Sequence, residues 1–510
     1  MWTTLIHNGV YFPPLYVPVP SSVKILYESK PVSLTPEQEE PAYLYAKYIG
    51  TEYIQNKKFN KNFFKDWKKI LGVTHIIKDF EKVDFSQFHD HILKLREQKQ
   101  NLTKEEKVKI KEAKDQLMES YKNCIVDGVK QPVGNYIVEP PDIFKGRGDH
   151  PKNGMLKKRI RPEDITINLS KDAPIPKPNV PGNWGNIIHE RSVIWLASWK
   201  EDVTGKMKYV FLGQESEQRM SKDQDKFDLS RKLKKKRKEI RNKYISDLNS
   251  SDLKTRQIAS AVYLIDRLAL RVGNEKGEDQ ADTVGVTSLK INNVSIDETC
   301  KLELDFLGKD SIRYHNKINI DSQMCKNIRE FMQNKSPEDE LFDLVNSNIL
   351  NNYLTSLMKN LTAKVFRTFN SSYLFSKELS KINEKLLPEQ KITLYNKANK
   401  EVACLCNHKK KVSKNFKEQL SKMDTRIKEL SAKPNKTKKQ KDQLKLLKEK
   451  KKLKKDLRDL SLGTSKINYI DPRITVAFFK KNNLNIEKVF TKTLLRKFKW
   501  ALEVDKDWKY

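Results

Sequence analysis

The sequence predicts an α+β protein of several domains with a mostly α domain at its centre, and three observations carry that prediction. Short extended runs punctuated by proline and glycine fill residues 1–30 and 119–216, the mark of a mixed α/β part. Long stretches with apolar residues at three- and four-residue steps fill 31–118 and 217–409. Two lysine-rich periodic runs then occupy 410–460, separated by Lys433-Pro434-Asn435, and a final helical segment follows at 461–510.

Taken in order, Tyr11-Phe12-Pro13-Pro14 and Val17-Pro18-Val19-Pro20 read as extended segments and turns. Thr35-Pro36-Glu37-Gln38-Glu39 reads as a capped helix start, and Asn62-Phe63-Phe64-Lys65-Asp66-Trp67 places bulky rings on one helical face. From Thr103 onward the alternating charges predict a surface helix. Strand-like runs at 165–168 and 193–196 belong to the mixed part, and a hairpin at 302–306 and 311–314 interrupts the largest, mostly α, domain. Val412, Phe416, Leu420, Met423, Ile427 and Leu430, then Leu446, Leu453, Leu457 and Leu460, predict two antiparallel helices turning at Pro434. This is the pattern of a narrow coiled-coil arm whose outward lysines are either solvated or contact DNA. Asp471-Pro472 predicts another helix start, aspartate at the cap and proline in the first turn.

With 510 residues and 37% hydrophobic content the chain can fill several cores, while a net charge of +34 exceeds what solubility requires. A polyanion is the expected partner, nucleic acid ahead of an anionic membrane surface. No run approaches the roughly 20 apolar residues of a membrane span, and the N-terminus lacks the order of a secretory signal, so a soluble intracellular protein is expected. The five cysteines, Cys124, Cys300, Cys325, Cys404 and Cys406, are odd in number and lack C-x-x-C spacing. Neither a disulfide framework nor a zinc module is expected from them. No phosphate-cradling G-x-x-x-x-G-K-[ST] loop and no paired-magnesium acidic cluster occurs, so no nucleotide or metal cofactor is expected.

Tyr469 lies in a polar stretch that reads as exposed, just after the basic runs, where a core aromatic would be out of place. A phenol oxygen there can attack a phosphodiester and keep the bond energy in a covalent link to the protein. Such an attack needs fixed cations around the phosphate, best supplied as guanidinium forks. Arg271 follows an amphipathic helix and precedes Gly273, whose freedom permits a turn into a cleft; Arg367 sits on a helix with an anchoring apolar face. Lys309, at the tip of the 302–314 hairpin, is placed to protonate a leaving oxygen, although on local sequence alone an exposed turn lysine is the better reading. His408 closes a helix and reads either as a phosphate donor or as a residue serving the last helical carbonyls. Lys145-Gly146-Arg147-Gly148 reads as a basic loop over a nucleic-acid backbone or as a plain surface loop. The run 231–238 reads as a nuclear-import signal or a phosphate-facing helix.

Five segments then occur in one order: Ala269-Leu270-Arg271-Val272-Gly273-Asn274-Glu275-Lys276, Phe306-Leu307-Gly308-Lys309-Asp310-Ser311-Ile312-Arg313-Tyr314, Thr362-Ala363-Lys364-Val365-Phe366-Arg367-Thr368, Leu405-Cys406-Asn407-His408 and Gly463-Thr464-Ser465-Lys466-Ile467-Asn468-Tyr469. In that order the chain resembles the eukaryotic type IB DNA topoisomerases over almost its whole length. Residues 62–67 and the stretch from Glu139-Pro140-Pro141 through Arg147-Gly148 resemble that family's N-terminal core.

The resemblance implies a bilobed DNA clamp. Residues 1–30 and 119–216 would form the core subdomain of one lobe, 31–118 its helical cap, and 217–409 a catalytic domain of tyrosine-recombinase-like fold. A coiled-coil linker at 410–460 and a small helical C-terminal domain at 461–510, carrying the nucleophile, complete the expectation. By the same resemblance Tyr469 attacks the phosphodiester, Arg271, Arg367 and His408 bind its oxygens, and Lys309 is the general acid that also touches a base in the minor groove. Lys145, Arg147, Asp310 and Asn468 would bind DNA, the last three also falling where camptothecin-type inhibitors contact the cleaved complex. The implied partner is double-stranded DNA, held by a monomer in the nucleus with no membrane, no ATP and no obligatory metal. Against the family pattern, the long charged N-terminal tail is expected to be absent and the arm to be shorter than in animal relatives, which bears on localisation and on strand rotation. The rival readings are a tyrosine recombinase, and a non-enzymatic DNA-binding protein in which Tyr469 is merely packed.

Overall fold

The computed structural model describes residues 2–274, 283–413 and 415–510; Glu275 and Lys276, at the end of the first motif, lie outside the described residues. The chain divides into two compact units, one built from residues up to Arg219 and the other from Met220 onward.

The first unit has two cores. In one, helices Pro36–Ala46, Lys57–Leu71 and Ser86–Asn101 enclose Tyr45, Phe59, Phe63, Trp67 and Phe88. Phe59, Phe63, Trp67 and Leu71 recur every fourth residue and so share one face of their helix, all buried. Each ring removed from water in this way contributes about 2–3 kcal/mol. The first of these helices starts where its sequence predicts, because Thr35 and Gln38 form a reciprocal capping box. The other core gathers Trp2, Leu5, Phe12, Ile167, Leu196, Trp199 and Val210. It lies on a three-stranded antiparallel sheet (Leu5–His7, Asn123–Val126, Val129–Pro132) and a four-stranded one. In the latter, Asn186–Ile188 pairs parallel with Thr166–Asn168, and Trp195–Lys200 and Met207–Phe211 follow antiparallel.

The loop carrying Lys145 and Arg147 is tied to the aromatic helix. Asn62 Nδ2 donates to the carbonyls of Pro151 and Asn153, and the Gly146 N–H donates to Asn153 Oδ1 at 2.6 Å. Gly154, at φ +94°, passes the helix so closely that a Cβ would lie 2.0 Å from the Phe59 carbonyl, so only glycine fits.

The second unit is organised around helix Leu253–Leu268, whose apolar residues are almost all buried, packed against helices Ser322–Met332, Ser347–Leu357 and Ala363–Ser380. A three-stranded antiparallel sheet (Val294–Ile296, Lys301–Gly308, Ile312–Asn319) contains the expected hairpin, now eight residues per strand. Helices Phe416–Ala432 and Lys438–Asp456 form an antiparallel hairpin: Lys409 bridges Leu460 at its base, and Lys451 pairs with Asp424 farther along. Leu430 and Leu453 are buried on it, whereas Val412, read as the first residue of the seam, precedes the helix and is 45% exposed.

The expectation for the cysteines is overturned. Cys300 and Cys325 form a disulfide between the turn that opens strand Lys301–Gly308 and helix Ser322–Met332. Their separation of 25 residues carries no local signature, and only the packing of helix on sheet brings them together. Cys124, Cys404 and Cys406 are free. Among the described residues no group of three or more His, Cys, Asp or Glu is placed to hold a metal ion, and no helix is long and apolar enough to cross a membrane.

Candidate active site

Helix Leu253–Leu268 ends at Ala269, which adopts the left-handed conformation at φ +50° and turns the chain sideways. Arg271 follows two residues later, its carbonyl accepting from the Val286 N–H at 2.9 Å and that of Val272 from the Thr287 N–H at 2.7 Å. The turn relies on Gly273 at φ +91° and on its close neighbour Gly285, where a Cβ would lie 2.3 Å from the Gly273 backbone. Arg271 is thereby fixed at both ends: its backbone pairs with the 285–287 segment, and its Nη1 donates to the Tyr469 hydroxyl at 3.1 Å.

Arg367, on helix Ala363–Ser380, is 4% exposed. It has no carboxylate partner among the described ion pairs. Instead Nη1 donates to the carbonyl of Ala269 and Nη2 to that of Cys406 at 3.0 Å, each the C-cap of a helix. The negative ends of two helix dipoles hold the buried guanidinium, leaving its positive charge uncancelled by a full anion. Its Nε has no hydrogen-bond partner among the described residues. The guanidinium lies 5.0 Å from the centroid of the Tyr469 ring.

His408 follows helix Pro388–Leu405, its N–H donating to the Ala403 carbonyl at 2.8 Å, and its ring stacks on Tyr469 with centroids 5.3 Å apart. Nδ1 lies 2.8 Å from Ser465 Oγ. Nε2 is buried without a partner among the described residues. Burial, reinforced by the charges of Arg367 and Arg271, pushes the imidazole down to about 3, so it is neutral at physiological pH.

Tyr469 caps the short helix Leu462–Asn468, its N–H bonded to the Ser465 carbonyl at 2.9 Å and its own carbonyl accepting from Ser372 Oγ at 3.0 Å. The expectation of an exposed phenol is corrected: Tyr469 is 6% exposed. Its surroundings are nonetheless cationic rather than apolar, because Arg367 and Arg271, distant in sequence, supply the charge around it. Burial raises the phenol's pKa, but the Arg367 and Arg271 guanidiniums outweigh it and bring the hydroxyl below the ordinary tyrosine range.

Lys309 is exposed at the hairpin tip and lines the same cleft as Arg271, Arg367 and His408. Phe306 and Tyr314 stack beneath it at 5.2 Å, and Asn407 Nδ2 donates to the Arg313 carbonyl at 3.1 Å, joining the hairpin to the His408 segment. Asp310, at φ +69°, also lines the cleft. Asn468 is exposed beside Tyr469, its Nδ2 donating to the Thr464 carbonyl at 3.1 Å. Thus Arg271, Lys309, Arg367, His408, Tyr469, Asp310 and Asn468 gather in the second unit. Lys145 and Arg147 belong to the first, where Lys145 pairs with Asp142 at 2.9 Å and stacks over Tyr48.

Three supporting residues escape the sequence reading: Ser465, which holds His408; Ser372, which holds the Tyr469 carbonyl; and Asn407. For Ser465 a local signal existed, since a residue four before Tyr469 shares its side of a helix. Ser372 offered none. Chemically, the cleft presents several positive donors and a neutral imidazole around one acidified phenol, an arrangement suited to an anion that accepts attack by oxygen.

The chain matches three family models: "Eukaryotic DNA topoisomerase I, DNA binding fragment" over residues 1–212, "Eukaryotic DNA topoisomerase I, catalytic core" over 215–468, and "C-terminal topoisomerase domain" over 441–510. It is 44% identical over 545 residues to DNA topoisomerase 1 beta of Arabidopsis thaliana, covering 100% of this chain and 59% of that protein. To DNA topoisomerase 1 of Caenorhabditis elegans it is 43% identical over 538 residues, covering 99% of this chain and 67% of the relative. To DNA topoisomerase 1 of Homo sapiens it is 40% identical over 550 residues, covering 100% and 72%. The chain thus spans about three-fifths to three-quarters of the length of these relatives.

Proposed function

Since the chain belongs to the eukaryotic DNA topoisomerase I family, we propose that it relaxes positively and negatively supercoiled duplex DNA by cutting and rejoining one strand through Tyr469. The observation that carries this reading is the Tyr469 hydroxyl receiving a hydrogen bond from Arg271, with Arg367 and His408 against its ring.

In the proposed step the Tyr469 oxygen, having lost its proton to solvent, forms a bond to phosphorus. The bond from phosphorus to the 5′ oxygen breaks, and that oxygen takes the electron pair and a proton from Lys309. The strand is left with a 3′-phosphotyrosyl end and a free 5′ hydroxyl. Arg271 and Arg367 meet the charge that gathers on the non-bridging oxygens, where fixed donors in a desolvated cleft act most strongly. The orphaned Arg367 Nε and His408 Nε2 are the donors still to be satisfied, and a phosphate oxygen satisfies both. For His408 this requires the tautomer with the proton on Nε2, which follows if the Ser465 hydroxyl donates to Nδ1. Because the phosphotyrosyl ester retains the energy of the original bond, the freed 5′ side can rotate and reattack without nucleotide, and the arginines serve where other enzymes use a metal.

We assign to the same reading a monomeric clamp around double-stranded DNA, with residues 1–30 and 119–216 as core and 31–118 as cap of one lobe, and 217–409 as a catalytic domain of tyrosine-recombinase-like fold. The helical hairpin at 410–460 acts as a coiled-coil linker, and 461–510 presents the nucleophile. Lys145, Arg147, Asp310 and Asn468 contact the DNA, the last three also meeting camptothecin-type inhibitors, and the protein works in the nucleus. The test is relaxation of a supercoiled plasmid with chelator and without ATP, comparing wild type with Tyr469→Phe. Wild type relaxes the plasmid and leaves a DNA adduct that survives denaturation; the phenylalanine variant binds DNA but does neither. Recombinant products would instead indicate a recombinase, and unchanged behaviour of the variant a packed, unreactive tyrosine.

A further inference from the structure

The hairpin that carries Lys309 is tied to its surroundings on both strands just below the tip. Strands Lys301–Gly308 and Ile312–Asn319 pair Leu307 with Arg313, and Lys309 follows two residues after Leu307. The carbonyl of each member of this pair accepts a hydrogen bond from outside the hairpin. That of Leu307 takes the Val284 N–H at 2.7 Å, from the same segment whose Val286 N–H holds the Arg271 carbonyl. That of Arg313 takes Asn407 Nδ2 at 3.1 Å, and Lys409 Nζ reaches the same oxygen at 3.4 Å.

Asn407 also shapes the far side of the cleft. Its φ of +51° is left-handed, a conformation that asparagine adopts more readily than most residues with a side chain. On one side of this turn the Cys406 carbonyl accepts from Arg367 Nη2 at 3.0 Å, and on the other the His408 ring stacks on Tyr469. A single residue thus joins the segment that serves Arg367 and His408 to the strand that leads back to Lys309.

We propose that Asn407 is a positioning residue for proton delivery, its amide acting through the Arg313 carbonyl to set Lys309 against the leaving 5′ oxygen. The inference rests on the reading of Tyr469 as nucleophile and Lys309 as general acid. Lys309 is exposed, so the backbone of the hairpin tip, and not packing around the side chain, governs where its ammonium starts from. A general acid must come within about 3 Å of the oxygen it protonates. A reacting group displaced by roughly 1 Å can lose about 100-fold in rate, so the tie that holds the tip near His408 has leverage on this step. The other tie, at Val284, fixes the hairpin to the support of Arg271 and leaves the Ile312–Asn319 strand to Asn407 and, at longer reach, Lys409.

The experiment is single-turnover formation of the covalent adduct on two oligonucleotides that differ in one atom, the leaving 5′ oxygen or a sulfur in its place. A thiol ionises at about 8.5, far below an alcohol, so the sulfur leaves as a thiolate and needs no proton from the protein. Asn407→Gly keeps the left-handed backbone accessible and removes the amide. On the oxygen substrate its adduct should form roughly 3- to 10-fold more slowly, the loss of one hydrogen bond. On the sulfur substrate the rate should stay within about twofold of wild type, as should DNA affinity measured in a Tyr469→Phe background. Lys309→Ala should lower the oxygen-to-sulfur ratio further, and the double variant should be no slower on oxygen than Lys309→Ala alone. An unchanged ratio for Asn407→Gly, equal slowing on both substrates, a loss carried by affinity, or additive effects in the double variant would each overturn the proposal. Should Asn407→Gly melt early, the ratio is read in Asn407→Asp, which keeps the size of the side chain but has no N–H to give the carbonyl. Absence of any adduct with wild-type protein defeats the topoisomerase reading, and an unaltered ratio in Lys309→Ala defeats the reading of Lys309 as acid. A lowered ratio in Lys309→Ala beside an unaltered one in Asn407→Gly defeats only this inference.

Discussion

Replacing Arg271 by alanine removes the hydrogen bond that its guanidinium gives the Tyr469 hydroxyl at 3.1 Å. At that distance a guanidinium and a phenolate attract by about 5 kcal/mol for an effective dielectric constant of about 20. Part of this is returned when solvent enters the vacated space, and donors aimed at a developing oxyanion typically account for about 2.7–4 kcal/mol, so cleavage should slow roughly 100- to 1,000-fold. The pH dependence supplies a second reading. Burial raises the phenol's pKa and the two arginines lower it; without Arg271 only Arg367 opposes burial, so the cleavage rate should climb at more alkaline pH than in wild type. Arg271→Lys should recover part of the rate, because it restores charge without the planar fork. Single-turnover adduct formation across a pH series measures all three variants. A loss of less than tenfold in Arg271→Ala, together with an unmoved pH profile, would refute the argument that Arg271 ionises the phenol and bears the phosphate's charge.

Two further outcomes concern stability. His408 is held neutral in the folded protein, titrating at about 3 against 6.5 when unfolded, so between those values the unfolded chain binds a proton the folded one does not. Stability should therefore fall as pH drops through this window, by about 2 kcal/mol between pH 7 and pH 5 for this group alone. His408→Gln, melted in denaturant at both pH values, should lose that share of the slope, and an unchanged slope contradicts the buried neutral imidazole. The Cys300–Cys325 disulfide closes 25 residues, worth about 3–4 kcal/mol in chain entropy. Cys300→Ser should melt correspondingly earlier and become insensitive to reductant; wild-type melting that ignores reductant contradicts the bond.

Much of the fold was legible because its signals are local. The capping boxes and caps at Thr35 and Asp471, the four-residue aromatic repeat from Phe59 to Leu71, and the turn at Pro434 each act within a few residues. The hairpin was legible too, although its strands run longer than the alternation showed, since cross-strand pairing extends a strand beyond its most regular residues. Less visible were contacts made by neutral side chains. Ser372 looks like an ordinary residue of a helix, and nothing in its neighbours announces a hydrogen bond to a backbone 97 residues away. The Cys300–Cys325 pairing was hidden for the same reason.

The sequence by itself determined the classes of element, the basic character that calls for a polyanion, and, through five segments in order, which side chains to watch. Only the tertiary structure decided the environment of Tyr469. A polar stretch reads as exposed, yet the phenol is enclosed, and its acidity arises from Arg271, 198 residues earlier, and from Arg367 suspended between the ends of two helices. Local sequence governs caps, turns and periodicity because those forces act over a turn of helix. The charge felt by one oxygen depends on which distant groups share its cavity, and that is set by packing.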